Sequence, residues 1–481
     1  MAKIADVVQE SGHNVTFYQQ EIFKTVHRTG ALKAKVVVKS AHIDFGPEPY
    51  QDLWHDTGLF VTNPDAFRVY ADVMSSACES QLNDEEYMKS LKNEKYDLAL
   101  VEFFDICSYA ILERIGVKRY ISLSALTVQQ KVLRYFGMPA NIAFVPGMSD
   151  NTGAKMTFLE RTRAFLTFPF KTYEFDRIFY ETLAQNVKQI YGHNFDYEDK
   201  LAHSSYVFVN IDEHLSFQMP LSTKFVFTGG VGQDAEAKPL PKSLQSIFNN
   251  SKTGVILISF GSIVQSFAMP KAQKNAIIST VKQFPDIDFI WKYEQIDTVG
   301  ENITNLHKIN WVPQTDLLSQ PKLLAFVTHG GLNSVSESAH KGKPMICVPI
   351  FADQNNNCYS VEEKGLAVVI PKWDLTMKRL EQAVRTVAED EQFRLRSTHF
   401  SRMMKDKPFK AKDRIIGFVN HALQYDVHSA LDLPSRHLST MQYYFLDVLL
   451  LLSAVLLVKG YIAYRFIRRN VVHRLVKDKI E

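Results

Sequence analysis

The residues best suited to chemistry follow an apolar run in the second half of the chain. Residues 323–328 read as a buried strand that runs into His329, Gly330 and Gly331, after which helical periodicity starts at once. Two adjacent glycines let an anionic ligand approach the backbone, and a helix N-terminus offers unpaired N–H groups and a favourable dipole. The segment therefore predicts a phosphate site. An ordinary Gly-Gly turn before a capped helix is the alternative that these residues leave open.

The first turns of the following helix carry polar side chains at useful spacing. Asn333 and Ser334 add hydrogen-bond donors beside the predicted phosphate. Glu337 lies one turn after Asn333 on the same face, where a carboxylate can accept hydrogen bonds from ribose hydroxyls. A phosphate followed one turn later by a sugar is the pattern of a nucleotide site.

These residues have to be positioned by α/β units, because both halves of the chain alternate strand-like and helical runs. The predicted strands are residues 14–18, 35–38, 96–103, 119–123 and 206–209 in the first half and 255–260, 289–293, 324–328 and 345–349 in the second. Helices are predicted at 1–10, 67–89, 106–115 and 271–283, and from residue 332 onward. This alternation is typical of parallel sheets, in which ligands bind at the carboxyl ends of the strands. A stretch rich in Gly, Pro and Lys predicts a linker, 229–245, between domains 1–228 and 246–440 that face a cleft.

Composition and charge narrow the class of protein. The chain has 481 residues and a formal net charge of +3, with much of the basic excess in its last residues, so the body gives no electrostatic footprint for nucleic acid. The four cysteines form no CxxC pair, which excludes a zinc ribbon or a disulfide scaffold. Buried free thiols are predicted, and a Cys347–Cys358 bridge is left open. Asp286 and Asp288 form a DxD motif, but in a short helix-to-strand connection we predict no metal site there.

The C-terminal residues predict a membrane anchor. Residues 443–464 are overwhelmingly apolar and have about the length needed to cross a bilayer. A tail rich in Lys and Arg, 465–481, marks the cytoplasmic side and leaves the body lumenal. Lys477 and Lys479 resemble the dilysine retrieval signal of endoplasmic reticulum membrane proteins, and glycosylation sequons begin at Asn14, Asn249 and Asn302. We therefore predict a single-pass protein of the endoplasmic reticulum membrane with lumenal domains, and a buried amphipathic helix is the alternative.

The block from Trp311 to Gln354 resembles the signature of the UDP-glucuronosyltransferase and UDP-glucosyltransferase family. Further family-like pieces are Gly12-His13, the strand that ends in residues 259–262, and residues 289–293, which read FIWKY. With the C-terminal anchor, the resemblance covers nearly the whole chain. It implies an α/β fold of the GT-B type, which has two Rossmann-like domains facing a cleft, with the acceptor site in the first and the donor site in the second, plus a C-terminal transmembrane helix.

The resemblance implies that the donor is a UDP-sugar bound by the second domain. The implied residues are Trp311 and Gln314 at the nucleoside, Glu337 at the ribose, Ser262, His329, Gly331, Asn333 and Ser334 at the diphosphate, and Asp353 and Gln354 at the hydroxyls of the transferred sugar. The UDP-sugar is a co-substrate, and neither a metal nor another cofactor is implied. The helix dipole and His329 can stabilise the charge of the departing UDP in place of a metal.

The implied reaction inverts the configuration at the anomeric carbon. A histidine base removes the hydroxyl proton of the acceptor, a small lipophilic alcohol or phenol. Glu102 best matches the acid that orients this base, and Asp105 is second. Residues 128–200 are rich in aromatics and predict either the walls of an apolar acceptor pocket or ordinary core packing. In the family the base itself lies just before the helix that opens this sequence, and it is absent here. His13 instead matches the Gly-His pair of the next strand.

Two explanations of the missing base stay open. In the first, the protein is an active enzyme, and the residues before Met1, including a signal peptide, are absent from this sequence. In the second, the chain is a short form without catalysis. Such a form would bind a UDP-sugar or associate with related transferases, as a homo- or hetero-oligomer. The donor sugar is also open, because glucuronate needs a cation for its carboxylate and glucose does not.

Overall fold

The computed structural model describes residues 1–22, 30–40, 53–55, 64–148, 150–175, 181–191, 195–233 and 237–477. Within these ranges the chain forms two α/β units whose sheets are entirely parallel. The strands of the first unit are β1 (Thr16–Glu21), β2 (Lys35–Ser40), β3 (Ala99–Glu102), β4 (Tyr120–Ser124), β5 (Val207–Val209) and β6 (Phe225–Phe227). Those of the second are β7 (Gly254–Ser259), β8 (Ile287–Lys292), β9 (Leu306–Ile309), β10 (Leu323–Thr328), β11 (Met345–Cys347) and β12 (Ala367–Val369).

Helices cover these sheets and complete the alternation expected from the sequence. In the first unit they are α1 (Ala2–Glu10), α2 (Pro64–Leu82), α3 (Glu85–Asn93), α4 (Ile106–Ile115), α5 (Gln130–Leu133), α6 (Phe158–Phe175), α7 (Thr182–Tyr191) and α8 (Tyr197–Ala202). After them come α9 (Lys242–Asn250), α10 (Lys271–Val281), α11 (Gln314–Leu318), α12 (Leu332–His340), α13 (Gln354–Glu363), α14 (Met377–Glu389), α15 (Glu391–Lys405), α16 (Ala411–Gln424), α17 (Thr440–Tyr443) and α18 (Leu446–Lys477). The helix predicted at 67–89 is two helices, because Asp84 accepts the Tyr87 N–H and caps α3.

The sheet of the second unit positions the predicted site. Its strand order is β12-β11-β10-β7-β8-β9, so the order reverses between β7 and β10. Ligands of doubly wound sheets bind beyond the carboxyl ends of the strands at this switch point. Ser259 and Thr328 are register partners at the ends of β7 and β10. The loops that follow them, which contain Gly261 and His329, therefore emerge side by side.

The chain returns to the first unit after the second is complete. Ile415, Val419 and Ala422 of α16 pack in one buried cluster with Ile4 of α1 and Ile121 of β4. The predicted boundaries 1–228, 229–245 and 246–440 stay predictions, and residues 234–236 of the predicted linker lie outside the described residues. Contacts of α16 with α1 and β4 join the two units at the side of the first sheet.

The cysteines correct one expectation. Cys78 of α2 and Cys107 of α4 form a disulfide, with their Cα atoms 5.4 Å apart, so the prediction of free thiols is wrong for this pair. Packing of α2 near α4 brings together two cysteines that are 29 residues apart, which their spacing alone does not reveal. Cys347 and Cys358 are buried and unbonded, as predicted, and the Cys347–Cys358 bridge is not formed.

The C-terminal helix is exposed along its apolar length. The span predicted at 443–464 begins instead at Leu446, because Phe445 has a φ of 55° and separates α17 from α18. Residues Leu446–Val472 are long and apolar enough to cross a membrane, and none of their most apolar stretch is buried. The alternative of a buried amphipathic helix is therefore wrong. The basic residues from 465 to 477 continue the same helix.

Candidate functional site

The imidazole of His329 lies between two glycines at the switch point. A Cβ added to Gly261 would lie 2.7 Å from Cε1 of His329, and one added to Gly331 would lie 2.5 Å from its Nε2. Both distances are too short for a real side chain, so only glycine fits on either side of the ring. Gly261 also has a φ of +85°, which favours glycine. The two glycines thus let the His329 ring occupy the gap between the loops after β7 and β10.

His329 is held neutral and has an unused hydrogen-bonding atom. Burial, and to a smaller extent the charge of Lys292, lowers the pKa of His329 to about 4. Nδ1 of His329 is buried and has no hydrogen-bond partner among the described residues. An unpaired buried nitrogen is costly unless a ligand supplies the partner. A neutral ring can offer one N–H donor to an anion, so its contribution is hydrogen bonding and not charge.

Gln314, predicted at the nucleoside, is hydrogen-bonded to two other predicted donor residues, Ser334 and Glu337. Nε2 of Gln314, at the start of α11, donates to Oγ of Ser334 at 3.1 Å and to Oε2 of Glu337 at 2.9 Å. Burial raises the pKa of Glu337, while the Gln314 hydrogen bond acts in the opposite direction. Trp311 lies three residues before Gln314 and is 63% exposed, so it presents an aromatic surface at the same edge.

The predicted diphosphate residues reach the first unit. Asn210, which follows β5, donates from Nδ2 to Oδ1 of Asn333 at 3.2 Å. Ser262 is exposed next to Gly261. Gly331 precedes α12 as its N-cap, so the first N–H groups of that helix open on the same edge as His329.

The predicted sugar residues lie where a strained loop meets α13, with Asp353 as the N-cap of that helix and Gln354 as its first residue. Oε1 of Gln354 accepts the N–H groups of Ile350 (2.9 Å) and Phe351 (3.1 Å), so only its amide NH₂ is left for a ligand. Asp353 accepts a hydrogen bond from Nδ2 of Asn357 at 2.7 Å, and burial raises the pKa of Asp353. Ala352, which directly precedes Asp353, has a φ of 55°, a conformation that costs energy in a non-glycine residue.

Asn357 ties this loop to the glycine turn. Its Nδ2 also donates to the carbonyl oxygen of Gly330 at 3.0 Å. A Cβ added to Gly330 would lie 2.1 Å from Sγ of Cys358, so α13 packs directly against the turn. The loop that ends at Asp353 and the turn at Gly330 are therefore connected directly.

Asp105 and Glu102, the two acids predicted to orient the base, differ in the hydrogen bonds that their carboxylate oxygens accept. Asp105 accepts the Cys107 N–H at 3.1 Å and the Ser108 hydroxyl, which makes it the N-cap of α4. Among the described residues, Glu102 accepts a long hydrogen bond from the Ala125 N–H at 3.5 Å and otherwise interacts with the backbone of its own loop. Burial raises the pKa of Glu102 to about 7, and the positive Met1 amino group acts against this rise. Glu102 therefore has more unused hydrogen-bond acceptor positions than Asp105.

Lys292 lies within the candidate site, although it was not predicted from the sequence. Its Nζ donates to the Gly261 carbonyl oxygen and to Oε1 of Glu294, both at 2.9 Å, and lies 5.8 Å from the centre of the Trp311 ring. Only 7% of Lys292 is exposed. A lysine at the end of a buried apolar strand was the available signal, within the FIWKY segment.

The acidic groups that could suggest a metal have other partners. Asp286 bonds Lys252 and Asp288 bonds His307, each at 2.7 Å, so the DxD carboxylates serve different residues. Within the described ranges, Asp212, Glu213 and His214 lie close enough to share an ion. Lys407 bonds both carboxylates there, at 2.8 and 3.1 Å, and supplies the positive charge instead.

The chain is similar to known proteins over nearly its whole length. It matches the family model "UDP-glucoronosyl and UDP-glucosyl transferase" over residues 1–480. UDP-glucuronosyltransferase 3A1 of Bos taurus is 27% identical over 95% of this chain and 88% of its own. UDP-glucuronosyltransferase 2A1 of Mus musculus is 30% identical over 80% of this chain and 73% of its own.

Solved structures of the same fold are more distant in sequence. A UDP-glucose: anthocyanidin 3-O-glucosyltransferase in complex with UDP superimposes with a TM-score of 0.57 at 14% identity, over 88% of this chain and 95% of that one. The glycotransferase of kitacinnamycin also gives a TM-score of 0.57, at 18% identity. The chain therefore belongs to the UDP-glucuronosyl and UDP-glucosyl transferase family and is a UDP-glycosyltransferase with the GT-B fold.

Proposed function

We propose that this protein transfers a glucuronosyl or glucosyl group from a UDP-sugar to a hydroxyl of a small lipophilic acceptor, with inversion and without a metal. The observation that carries the proposal is the His329 ring between Gly261 and Gly331, with an unpaired buried nitrogen beside the start of α12. The diphosphate would bind there, where backbone N–H groups and the helix dipole stabilise its charge as UDP departs.

The other donor contacts follow from this placement. Uracil would stack on exposed Trp311, and the ribose would bind Glu337, which Gln314 holds in place. The transferred sugar would meet Asp353 and the free amide of Gln354. Of the hydroxyl contacts, those to Asp353 would be the strongest, because its carboxylate is buried.

A small cavity beside this site has apolar side chains of the kind that a lipophilic acceptor would contact. It has a volume of about 90 Å³, and its lining includes Val128, Ile142, Met148 and Phe168 of the first unit and Asn356 of α13. Asn356 follows Asp353 by less than one helical turn. The cavity thus borders the predicted sugar residues.

Glu102 is the proposed partner of the base that accepts the acceptor proton. In the family resemblance the base histidine lies just before α1, and the charge of the Met1 amino group acts on Glu102. A carboxylate next to the base would stabilise the imidazolium that forms as the acceptor oxygen attacks.

To test this, the purified full chain is incubated with a phenolic acceptor and either UDP-glucose or UDP-glucuronate, in parallel. The product is followed by mass spectrometry. We expect a glycoside of inverted anomeric configuration by NMR, undiminished by EDTA. His329→Ala should weaken UDP binding, and His307→Ala, whose partner is Asp288, serves as the matched control. A product with retained configuration, or activity lost to EDTA and restored by a divalent metal, would contradict the mechanism.

A second candidate is a short form that binds UDP-sugar, or associates with related transferases, without turnover. Among the described residues, no histidine donates a hydrogen bond to Glu102. Calorimetric UDP binding without any product would support this candidate, and turnover by the 481-residue chain excludes it. Sedimentation of the purified chain with and without a related transferase tests the association.

We also propose that α18 anchors the protein in the endoplasmic reticulum membrane with both units in the lumen. The exposed apolar length of α18 and the basic residues at its end support this orientation. Asn14, Asn249 and Asn302 are exposed, so a lumenal chain should carry glycans that an endoglycosidase removes. A chain made in cells without any such mobility shift, and digested by protease added to intact microsomes, would refute the orientation.

A further inference from the structure

A second cavity lies where the chain crosses between the two units. It has a volume of about 540 Å³, within the usual range of small-molecule sites. The chain leaves the first unit through residues 229–232, after β6, and returns through residues 406–410, between α15 and α16. Residues of both crossings line this cavity, together with α1 and His340 at the end of α12. We call it the crossing cavity, and among the described residues its lining shares none with the cavity beside the sugar residues.

The walls of the crossing cavity carry an excess of positive charge. The acidic residues in the lining are Asp6, Glu10 and Asp413. The lysines in the lining are Lys3, Lys33, Lys405, Lys407, Lys410 and Lys412. Six positive and three negative charges leave a net charge of +3 around one concave space. Such a concentration of one sign in a cleft attracts a multivalent anion.

Two of the three acids already have partners within the fold. Glu10 pairs with Lys33 and, at 2.9 Å, with Lys412. Asp6 is buried, and its carboxylate accepts the N–H groups of Leu32 at 3.0 Å and of Lys33 at 2.8 Å. These carboxylates hold the cavity wall together and do not neutralise the other lysines of the lining.

Three lysines keep their charge for a ligand. Lys407 is paired with Asp212, which lies outside the lining. Lys3, Lys405 and Lys410 are exposed, and none of them forms an ion pair within the part of the chain that the structure describes. Lys3 belongs to α1 in the first unit, whereas Lys405 ends α15 in the second. One anion in the cavity could therefore bind cations from both units.

The crossing at residues 229–232, which we call the linker turn, adds backbone donors to the cavity. Gly230 and Gly232 have φ values of +90° and +80°, which favour glycine. A Cβ added to Gly230 would lie 2.6 Å from Nε2 of His340, so only glycine fits against that ring. The N–H groups of residues 230–232 donate no hydrogen bond to any described residue. Successive free N–H groups of this kind bind anionic oxygens.

The start of α16 offers further donors to the same space. α16 begins at Ala411, and Lys410 before it makes no side-chain hydrogen bond that caps the helix. The first N–H groups of a helix have no acceptor within the helix and favour phosphate oxygens. Lys410 and Ala411 both line the crossing cavity. Lysine charges and backbone donors thus surround one cavity.

We propose that the crossing cavity binds a small anion that carries several phosphate groups. Lys3, Lys405 and Lys410 would neutralise its charge, and N–H groups of the linker turn and of α16 would donate to its oxygens. Because this ligand contacts both crossings, it would restrain the movement of the units relative to each other and change the affinity for UDP. The inference goes beyond the proposed transfer reaction, and the binding itself does not require turnover.

Hydrogen–deuterium exchange of the full chain, with and without tripolyphosphate, locates the anion. We expect slower exchange at residues 229–233 and 404–413, in the wild type and equally in His329→Ala. Slower exchange only at residues 329–337 would mean that the anion occupies the donor site, and it would overturn the proposal. This readout needs neither UDP binding nor turnover, so it remains decisive if the proposed transferase reaction fails.

A charge variant tests the lysines. It combines Lys3→Gln, Lys405→Gln and Lys410→Gln, and tripolyphosphate binding is measured by calorimetry at saturating UDP. The matched control removes the same charge from exposed lysines outside the lining, with Lys242→Gln, Lys271→Gln and Lys378→Gln combined.

We expect the Kd of tripolyphosphate to rise by about tenfold or more in the cavity variant and by less than about twofold in the control. Inorganic phosphate should bind the wild type far more weakly than tripolyphosphate, because it cannot reach both crossings. An equal loss of affinity in the two variants, or equal affinity for the two anions, would indicate non-specific attraction and overturn the proposal.

A backbone variant tests the start of α16. Ala411→Pro removes the first N–H group of the helix, at a position where proline is tolerated. Lys410 has a ψ of 154°, which is compatible with a proline after it. We expect several-fold weaker binding of tripolyphosphate with an unchanged circular dichroism spectrum. Unchanged affinity would contradict the proposed role of α16.

The effect on the donor site is measured as a change in the Kd of UDP. Tripolyphosphate should shift this Kd several-fold in the wild type and leave it unchanged in the cavity variant, since coupling between two sites is reciprocal. A shift that persists in the cavity variant would mean competition at the donor site, and the absence of any shift in the wild type would contradict the coupling.

Discussion

Lys292 and His329 both lie against Gly261. Lys292 binds its backbone carbonyl oxygen, and the His329 ring occupies the space that a side chain at position 261 would fill. The Lys292 ammonium binds the Gly261 carbonyl oxygen at 2.9 Å, and Cε1 of His329 lies 2.7 Å from where a Gly261 Cβ would be. The same ammonium lies near the Trp311 ring. One buried cation thus links the elements expected to hold uracil and diphosphate, and its charge helps to keep His329 neutral.

Removing that cation should weaken donor binding. Lys292→Met deletes its hydrogen bond to Gly261 and leaves Glu294, whose side chain is 15% exposed, without its partner. A hydrogen bond to a charged group contributes about 1.5–3 kcal/mol, so the Kd of UDP by calorimetry should rise by about tenfold or more. Lys292→Arg should recover part of the affinity. Lys308→Met, which breaks a comparable pair with Asp297, is the control, and an equal loss in both variants would mean general destabilisation.

The neutral His329 should make folding stability depend on pH. Its pKa is about 4 in the folded protein, below the ordinary value, so the unfolded chain binds more protons in this range. Stability should therefore be complete above about pH 6.5 and fall by up to about 3 kcal/mol as the pH drops towards 4. Denaturant titrations of the full chain in detergent measure this. His329→Gln should flatten the profile, His307→Gln should not, and an unchanged slope in His329→Gln would contradict the assignment.

Glu102 should affect turnover and not donor binding. Because burial raises its pKa to about 7, kcat should rise as the pH increases through that value and Glu102 becomes charged. Glu102→Gln should lower kcat strongly at pH 8 while the Kd of UDP stays the same. Asp105→Ala is the comparison, since it should mainly remove an N-cap worth about 1 kcal/mol. A larger kcat loss in Asp105→Ala would reverse the two roles.

Much of this site follows from local sequence, because its residues lie at strand ends and in helix first turns. Periodicity and glycine spacing were enough to predict β7, β10 and the start of α12, but the close approach of Gly261 to His329 was not predicted. The bounds of α4 were predicted correctly, since Asp105 and Gly116 are local start and stop signals. Short strands such as β6 and β12 have three residues each and offer no periodicity to detect.

Partners distant in the chain could not be read from one sequence. Asn210 and Asn333 are 123 residues apart, and nothing local marks Asn210 as part of the site. Cys78 and Cys107 meet only because two helices pack together. The strain at Ala352 was equally invisible, because alanine carries no signal for a positive φ.

Relieving that strain should stabilise the protein. Ala352→Gly removes the penalty of a φ of 55°, worth about 1–2 kcal/mol, less the entropy that glycine loses on folding. We expect a small gain in unfolding free energy and a higher KM for the UDP-sugar, because a freer loop positions Asp353 less well. Gly417→Ala in α16 is the converse control, since a Cβ there meets nothing within 4 Å, and it should stabilise by about 0.5–1 kcal/mol without affecting KM. Destabilisation by Ala352→Gly would show that the loop is unstrained.

The disulfide and the buried thiols can be distinguished by counting and by mutation. Denatured, unreduced protein should react with Ellman's reagent at two thiols, Cys347 and Cys358, and at four after reduction. Cys78→Ser with Cys107→Ser opens a loop of 29 residues and should cost about 3 kcal/mol, mainly by freeing the unfolded chain. Cys347→Ser should instead act locally, because Cys347 is buried in β11 next to β10 and the His329 turn. Four reactive thiols before reduction would mean that α2 and α4 are not bridged in the protein as purified.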